Sequence, residues 1–125
     1  MKTRLAIVCW RAGPSSPHLC ATPFFHALAA AAMDVDVEMY FTAESVLLLK
    51  QGVAAGLTTG PRQRETVHAF MVRAAAEGVR FYACSQALQE YGLARADLIA
   101  EVAGIAGAAT YVARGLDENW ASVVY

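Results

Sequence analysis

Three cysteines and three histidines carry most of the chemistry open to this chain, and Cys84 stands apart by its position. Residues 79–83, Val-Arg-Phe-Tyr-Ala, are rich in β-branched and aromatic types and predict a strand. Residues 85–91 are good helix formers, with Ala87, Leu88 and Tyr91 at helical spacing and Gly92 where a helix ends. Cys84 therefore falls at the joint between a strand's carboxyl end and a helix's first turn. Free amide groups and the positive end of the helix dipole favour a thiolate there. In open α/β sheets ligands bind at that edge.

The competing reading is that Cys84 packs as a small hydrophobe, as free cysteines usually do. Cys20 precedes the helix start at Thr22-Pro23, a place where it is expected to be exposed. His18 and Cys20, with Cys9 and His26, contain metal-ligand types, but their spacing matches no zinc pattern. No metal is expected. His26 reads as a hydrogen-bonded core or interface histidine and His68 as a surface one. The run Arg62-Gln-Arg-Glu reads as a solvated helix face, although arginines near a rim loop could receive an acidic partner.

These residues must be positioned by a single domain covering residues 1–125, a length that buries about two-thirds of the unfolded surface without staples. Hydrophobic residues at 57% against 17% charged are apolar for a monomer. The net charge of −1 leaves no basic excess to displace counterions, so nucleic acid is not an expected partner. The apolar run after Lys2 and Arg4 is too short for a signal peptide or membrane span. An odd number of cysteines with no C-x-x-C pair is no disulfide framework, and a reducing cytoplasm is expected.

In order, residues 4–10 predict a strand buried on both faces, with Cys9 near its end. A proline-bearing loop follows, then a helix capped by Thr22 that runs to Met33 and is apolar nearly all round. Such a helix predicts burial on more than one side, hence a homo-oligomer. Residues 34–41 predict a second strand, and Thr42 caps a short helix over 43–50. Residues 62–77 predict a long amphipathic helix opened by Pro61, with Val67, Phe70, Met71 and Ala74 inward. After the Cys84 segment come a strand over 98–103, a helix over 107–119 with Tyr111 and Val112 inward, and a strand over 121–125. Regular alternation implies α/β architecture, a mainly parallel sheet of about five strands with helices packed over it.

Some enzyme classes are excluded. Glu90 stands where a phosphatase cysteine loop needs arginine, there is no P-loop, and Gly104-Ile-Ala-Gly107 is too sparse for a dinucleotide fingerprint.

Longer stretches add a resemblance. Tyr40-Phe41 ahead of Glu44-Ser45-Val46-Leu47-Leu48, Glu77-Gly78-Val79, Phe81-Tyr82-Ala83-Cys84-Ser85-Gln86-Ala87-Leu88 and then Tyr91-Gly92-Leu93 resemble the DsrE/DsrF-like family, which includes TusD-type sulfur-relay subunits. The resemblance implies a three-layer α/β/α DsrEFH-like fold, assembly as dimers, trimers or hexamers, and no cofactor. It further implies that a cysteine at the Cys84 position accepts sulfane sulfur as a persulfide from a donor protein and hands it to an acceptor protein, both being TusA-like or rhodanese-like carriers. The expected anion cradle is Ser85, Gln86 and the first-turn amides. Cys9, on the same rim, is the possible second thiol, either resolving the persulfide or buried. Two other functions stay open at this point: a non-catalytic oligomeric binding or scaffold module, and a thiol redox sensor pairing Cys84 with Cys9.

Overall fold

A computed structural model describes residues 2–125. Its centre is a five-stranded sheet, β1 (Arg4–Cys9), β2 (Asp36–Phe41), β3 (Arg80–Cys84), β4 (Val102–Ala106) and β5 (Trp120–Val124). The spatial order is β4-β3-β2-β1-β5 and every pairing is parallel. All five strands thus end on one rim. Four α-helices complete the chain: α1 (Thr22–Ala32), α2 (Val67–Ala76), α3 (Ser85–Glu90) and α4 (Ala108–Leu116).

The two faces of the sheet are covered unequally. On one, Ile7, Cys9, Val37, Met39, Phe41, Phe81 and Ala83 pack against Phe24 and Ala27 of α1 and Val67, Phe70, Met71 and Ala74 of α2. Phe24 sits against both Phe41 and Phe81, with ring centroids 6.1 and 6.0 Å apart, and excludes water from the middle of this layer. On the other face only α4 covers the sheet, over a small cluster of Ala6, Tyr40 and Trp120 joined by Val8, Tyr82, Ala106 and Tyr111. Glu38 is buried on this face, accepting from Tyr40 Oη at 2.9 Å and Arg114 Nε at 3.1 Å. Arg114 also lies 4.6 Å over the Trp120 ring. A buried carboxylate without partners would be costly, so this pair pins α4, which buries no residue fully, to the central strand.

Three helices end in the same hydrogen-bonded cap. After α3, Gly92 N–H donates to Gln89 O and Leu93 N–H to Leu88 O at 2.8 Å, and Gly92 takes φ +64°. This left-handed position suits glycine because no Cβ is present to clash. Gly78 closes α2 likewise, whereas Asp34 serves after α1.

Several expected boundaries move. The helix expected over 62–77 begins only at Val67: Thr66 is the cap, its Oγ1 accepting from Ala69 N–H at 3.2 Å, and it bridges back to Thr58. That bridge keeps the preceding residues out of the helix. The strand expected over 98–103 starts instead at Val102, because Leu98 is taken by an antiparallel bridge to Lys50. The segment after Thr42 is a 3₁₀ helix, Ala43–Leu49. In α1, Pro23, Phe24 and Ala27 are buried and Ala30 and Ala31 pack partly against the core, while Phe25, His26, Ala29 and Ala32 are exposed, so within this chain burial is one-sided. In α4, Tyr111 turns inward as expected but Val112 does not, being 53% exposed. Among the described residues no helix is long and apolar enough to cross a membrane.

Candidate functional site

Cys84 is the last residue of β3 and the N-cap of α3, with φ −67° and ψ 124°. It is half-buried, whereas Cys9 and Cys20 are fully buried. All three are free thiols. Partial burial raises the Cys84 pKa, but the Thr42 hydroxyl and the amides of Ala87 and Gln86, polar donors turned toward the sulfur, more than offset it, leaving the thiol below its ordinary value. The amides are first-turn groups that have no partner within their own helix. Thr42 comes from the neighbouring strand, one residue past the Phe41–Ala83 pair of the β2–β3 register. Its side chain makes no cap bond to the following 3₁₀ helix; it serves the sulfur instead.

Thr42 is held by its surroundings. Its N–H donates to Cys9 O at 2.9 Å, tying the ends of β2 and β1. Ala43 turns the chain sharply, with φ +48°, a conformation L-residues adopt at a cost of roughly 1–2 kcal/mol. Beyond it, Ser45 Oγ donates to Ala12 O at 2.6 Å, and Ser15 donates to Glu44 through N–H (2.7 Å) and Oγ (2.5 Å). The rim on which Cys84 opens is thus cross-braced by polar bonds, which compensate for the strain at Ala43.

Two depressions flank the sulfur. A cleft of about 170 Å³ is lined by Cys84 and Thr42 together with Val8, Tyr40, Ala106, Ala108, Tyr111 and Val112, and closes over the α4 face of the sheet. Tyr40 stacks on Tyr82 at 5.4 Å and meets Tyr111 edge-on at 5.7 Å. Burial, with the bond to Glu38 and its charge, pushes the Tyr40 hydroxyl up to about 12, so it stays protonated. A second, wider depression holds Thr42, Ala43, Gln86, Ala87, Glu90 and Tyr91. Larger hollows lie elsewhere: one holds the His68–Glu101 pair, at 2.7 Å, before the start of β4, the opposite end from the Ala106–Cys84 pairing.

The expected site residues distribute as follows. Gln86 lines both depressions, and its amide is one of the groups that lower the Cys84 pKa. Ser85 is exposed, beside Gly107, and is not among the groups bonded to the sulfur. Cys9 ends β1 on the same rim, yet its side chain points into the α1–α2 core, and burial drives its pKa well up. β2 stands between it and β3. Cys20, expected to be exposed, is instead enclosed, its Sγ 3.6 Å from Gly13 O, and burial raises its pKa to about 11. No cluster of three or more His, Cys, Asp or Glu side chains suited to a metal occurs among the described residues. His26 is exposed and bonded to the Tyr125 hydroxyl, and His68 is half-buried against Glu101.

Comparison with known proteins agrees with this geometry at the level of the fold. The model of the DsrE/DsrF-like family matches residues 5–117. The chain belongs to the DsrE/DsrF-like family. That is a sulfur-relay-related family. Among solved structures, the chain is similar to the protein of unknown function MTH1491 from Methanobacterium thermoautotrophicum, with TM-score 0.72 and 20% identity over 99% of this chain and all of that one. It is also similar to the ychN protein from E. coli, with TM-score 0.75 and 13% identity over the full length of both. No curated protein matches the sequence.

Proposed function

We propose that this DsrE/DsrF-like chain is a sulfur carrier that takes sulfane sulfur as a persulfide on Cys84 and passes it to a partner carrier protein. The observation that carries this reading is the half-buried Cys84 thiol opening into a cleft beside Thr42 and Gln86, whose polar groups, with the Ala87 amide, lower its pKa. The same donors that favour the thiolate favour the persulfide anion that replaces it. In the loading step the Cys84 thiolate attacks the outer sulfur of a donor R–S–SH. The donor's S–S bond breaks, R–S⁻ leaves and Cys84–S–SH forms, with no net oxidation. In the unloading step an acceptor thiolate attacks the outer sulfur of Cys84–S–SH, and the Cys84 thiolate leaves.

A partner of the TusA-like or rhodanese-like kind would remove the sulfur at the rim. Assembly into a homo-oligomer is part of the proposal; it is supported by apolar side chains left exposed on α4 and β5, Leu116 at 82% and Val124 at 58%. The burial of Cys9 weighs against a redox sensor that pairs it with Cys84.

The test is chemical. After treatment with inorganic polysulfide and desalting, cyanide should release thiocyanate from the native protein and none from Cys84→Ser. Equal release from both would refute the assignment.

A further inference from the structure

The cleft beside Cys84 restricts what can deliver sulfur to it. Its walls are the rings of Tyr40 and Tyr111 and the side chains of Val8, Ala106, Ala108 and Val112, and apart from the thiol itself no lining group carries a charge. The cation in the neighbourhood, Arg114, is engaged by Glu38 and stacked on Trp120. The adjoining depression offers Glu90, which repels anions. A donor bearing carboxylates would lose their hydration here and gain no partner. An apolar ring would exchange water for the hydrocarbon and ring edges of this wall. The size agrees: the cleft holds about 170 Å³, and an apolar cavity of roughly 150 Å³ accepts benzene.

Given the persulfide reading of Cys84, on which this rests, we infer that the cleft binds the organic half of a low-molecular-weight donor, and that this half is uncharged and of about single-ring size. The substrate class is a small apolar or aromatic hydropersulfide, R–S–SH. The outer sulfur passes to Cys84, and R–S⁻ leaves while its R group still lies in the cleft. Gln86 and Thr42, at the junction of the two depressions, hold the sulfur end.

The experiment compares donors by the rate at which the intact protein gains one sulfur atom. Benzyl hydropersulfide and glutathione hydropersulfide share a reactive group and differ in the charge of the carrier; 2-mercaptoethanol, reacting with each, fixes their intrinsic ratio. Half-burial of one ring predicts a preference for the benzyl donor of about tenfold or more over that intrinsic ratio. Val112→Glu, a change on an exposed wall position, should bring the preference down toward one, and Ala108→Glu serves should that variant not fold. Cys84 loading from both donors with no preference overturns the inference while the persulfide reading stands. Loading only from a persulfidated rhodanese-like protein overturns it as well, and gives the cleft to a side chain of that partner. No loading from any donor overturns both.

Discussion

The side chain of Thr42, just past the end of β2, lies beside that of Cys84, at the end of β3, in the wall of one cleft, where its hydroxyl lowers the thiol's pKa. Neither residue determines the thiol's character alone. The parallel register brings them level, and the sharp turn at Ala43 leaves the threonine side chain free of the following helix.

Thr42→Val keeps the shape and removes the hydroxyl. The Cys84 pKa lies below 9.0 in the native protein, so the thiolate is present at lower pH than in an unfolded chain. The variant should shift the inflection of the alkylation-rate profile upward. At any pH below the native inflection the rate should fall roughly three- to tenfold, the worth of one polar donor at about 1 kcal/mol. Iodoacetamide kinetics from pH 5 to 10 check this.

Ala43 tests the strain at the rim. Ala43→Gly relieves about 1–2 kcal/mol of left-handed backbone cost and restores about 0.4–1 kcal/mol of unfolded-state entropy. The balance is a gain of roughly 0.5 kcal/mol. Ala43→Val, β-branched at φ +48°, should lose stability. Urea denaturation of the two variants reads opposite signs.

Arg114→Ala should cost about 2–4 kcal/mol, because it strands the buried Glu38 carboxylate, and Glu38→Gln in the same chain should recover part of the loss. A double-mutant cycle by chemical denaturation measures the coupling. A purely additive result would mean that the pair does not hold α4.

Phe24→Ala should lower stability by about 3–5 kcal/mol through the cavity left between Phe41 and Phe81. The thermal midpoint reports the loss, and the alkylation profile of Cys84 in the still-folded variant should keep its inflection.

The strand–cysteine–helix joint at 79–92 is legible in the sequence because each signal is local: β-branched and aromatic residues, then helix formers, then a glycine. The same holds for Gly78, and for Tyr40-Phe41 at the end of β2. Thr42 as a partner of the sulfur is not legible in this way. As a threonine before a helix it reads as a cap, and only the alignment of two strand ends gives its hydroxyl another use. Glu38 alternates like a solvent-facing strand residue, and its burial depends on Arg114, far along the chain. The boundary at Val102 was displaced by the Lys50–Leu98 bridge, a non-local contact that no periodicity records. Cys20 shows the same limit: a loop position next to a helix start reads as open, but the loop folds its Sγ toward Gly13 and Ser16 carbonyls.

Intact-protein mass spectrometry after exposure to a persulfide donor tests the central claim most directly. The account predicts a gain of one sulfur atom per chain, mapped to Cys84, preserved in Cys9→Ser and absent in Cys84→Ser. A chain that stays at its unmodified mass, or a sulfur that persists in Cys84→Ser, would contradict it.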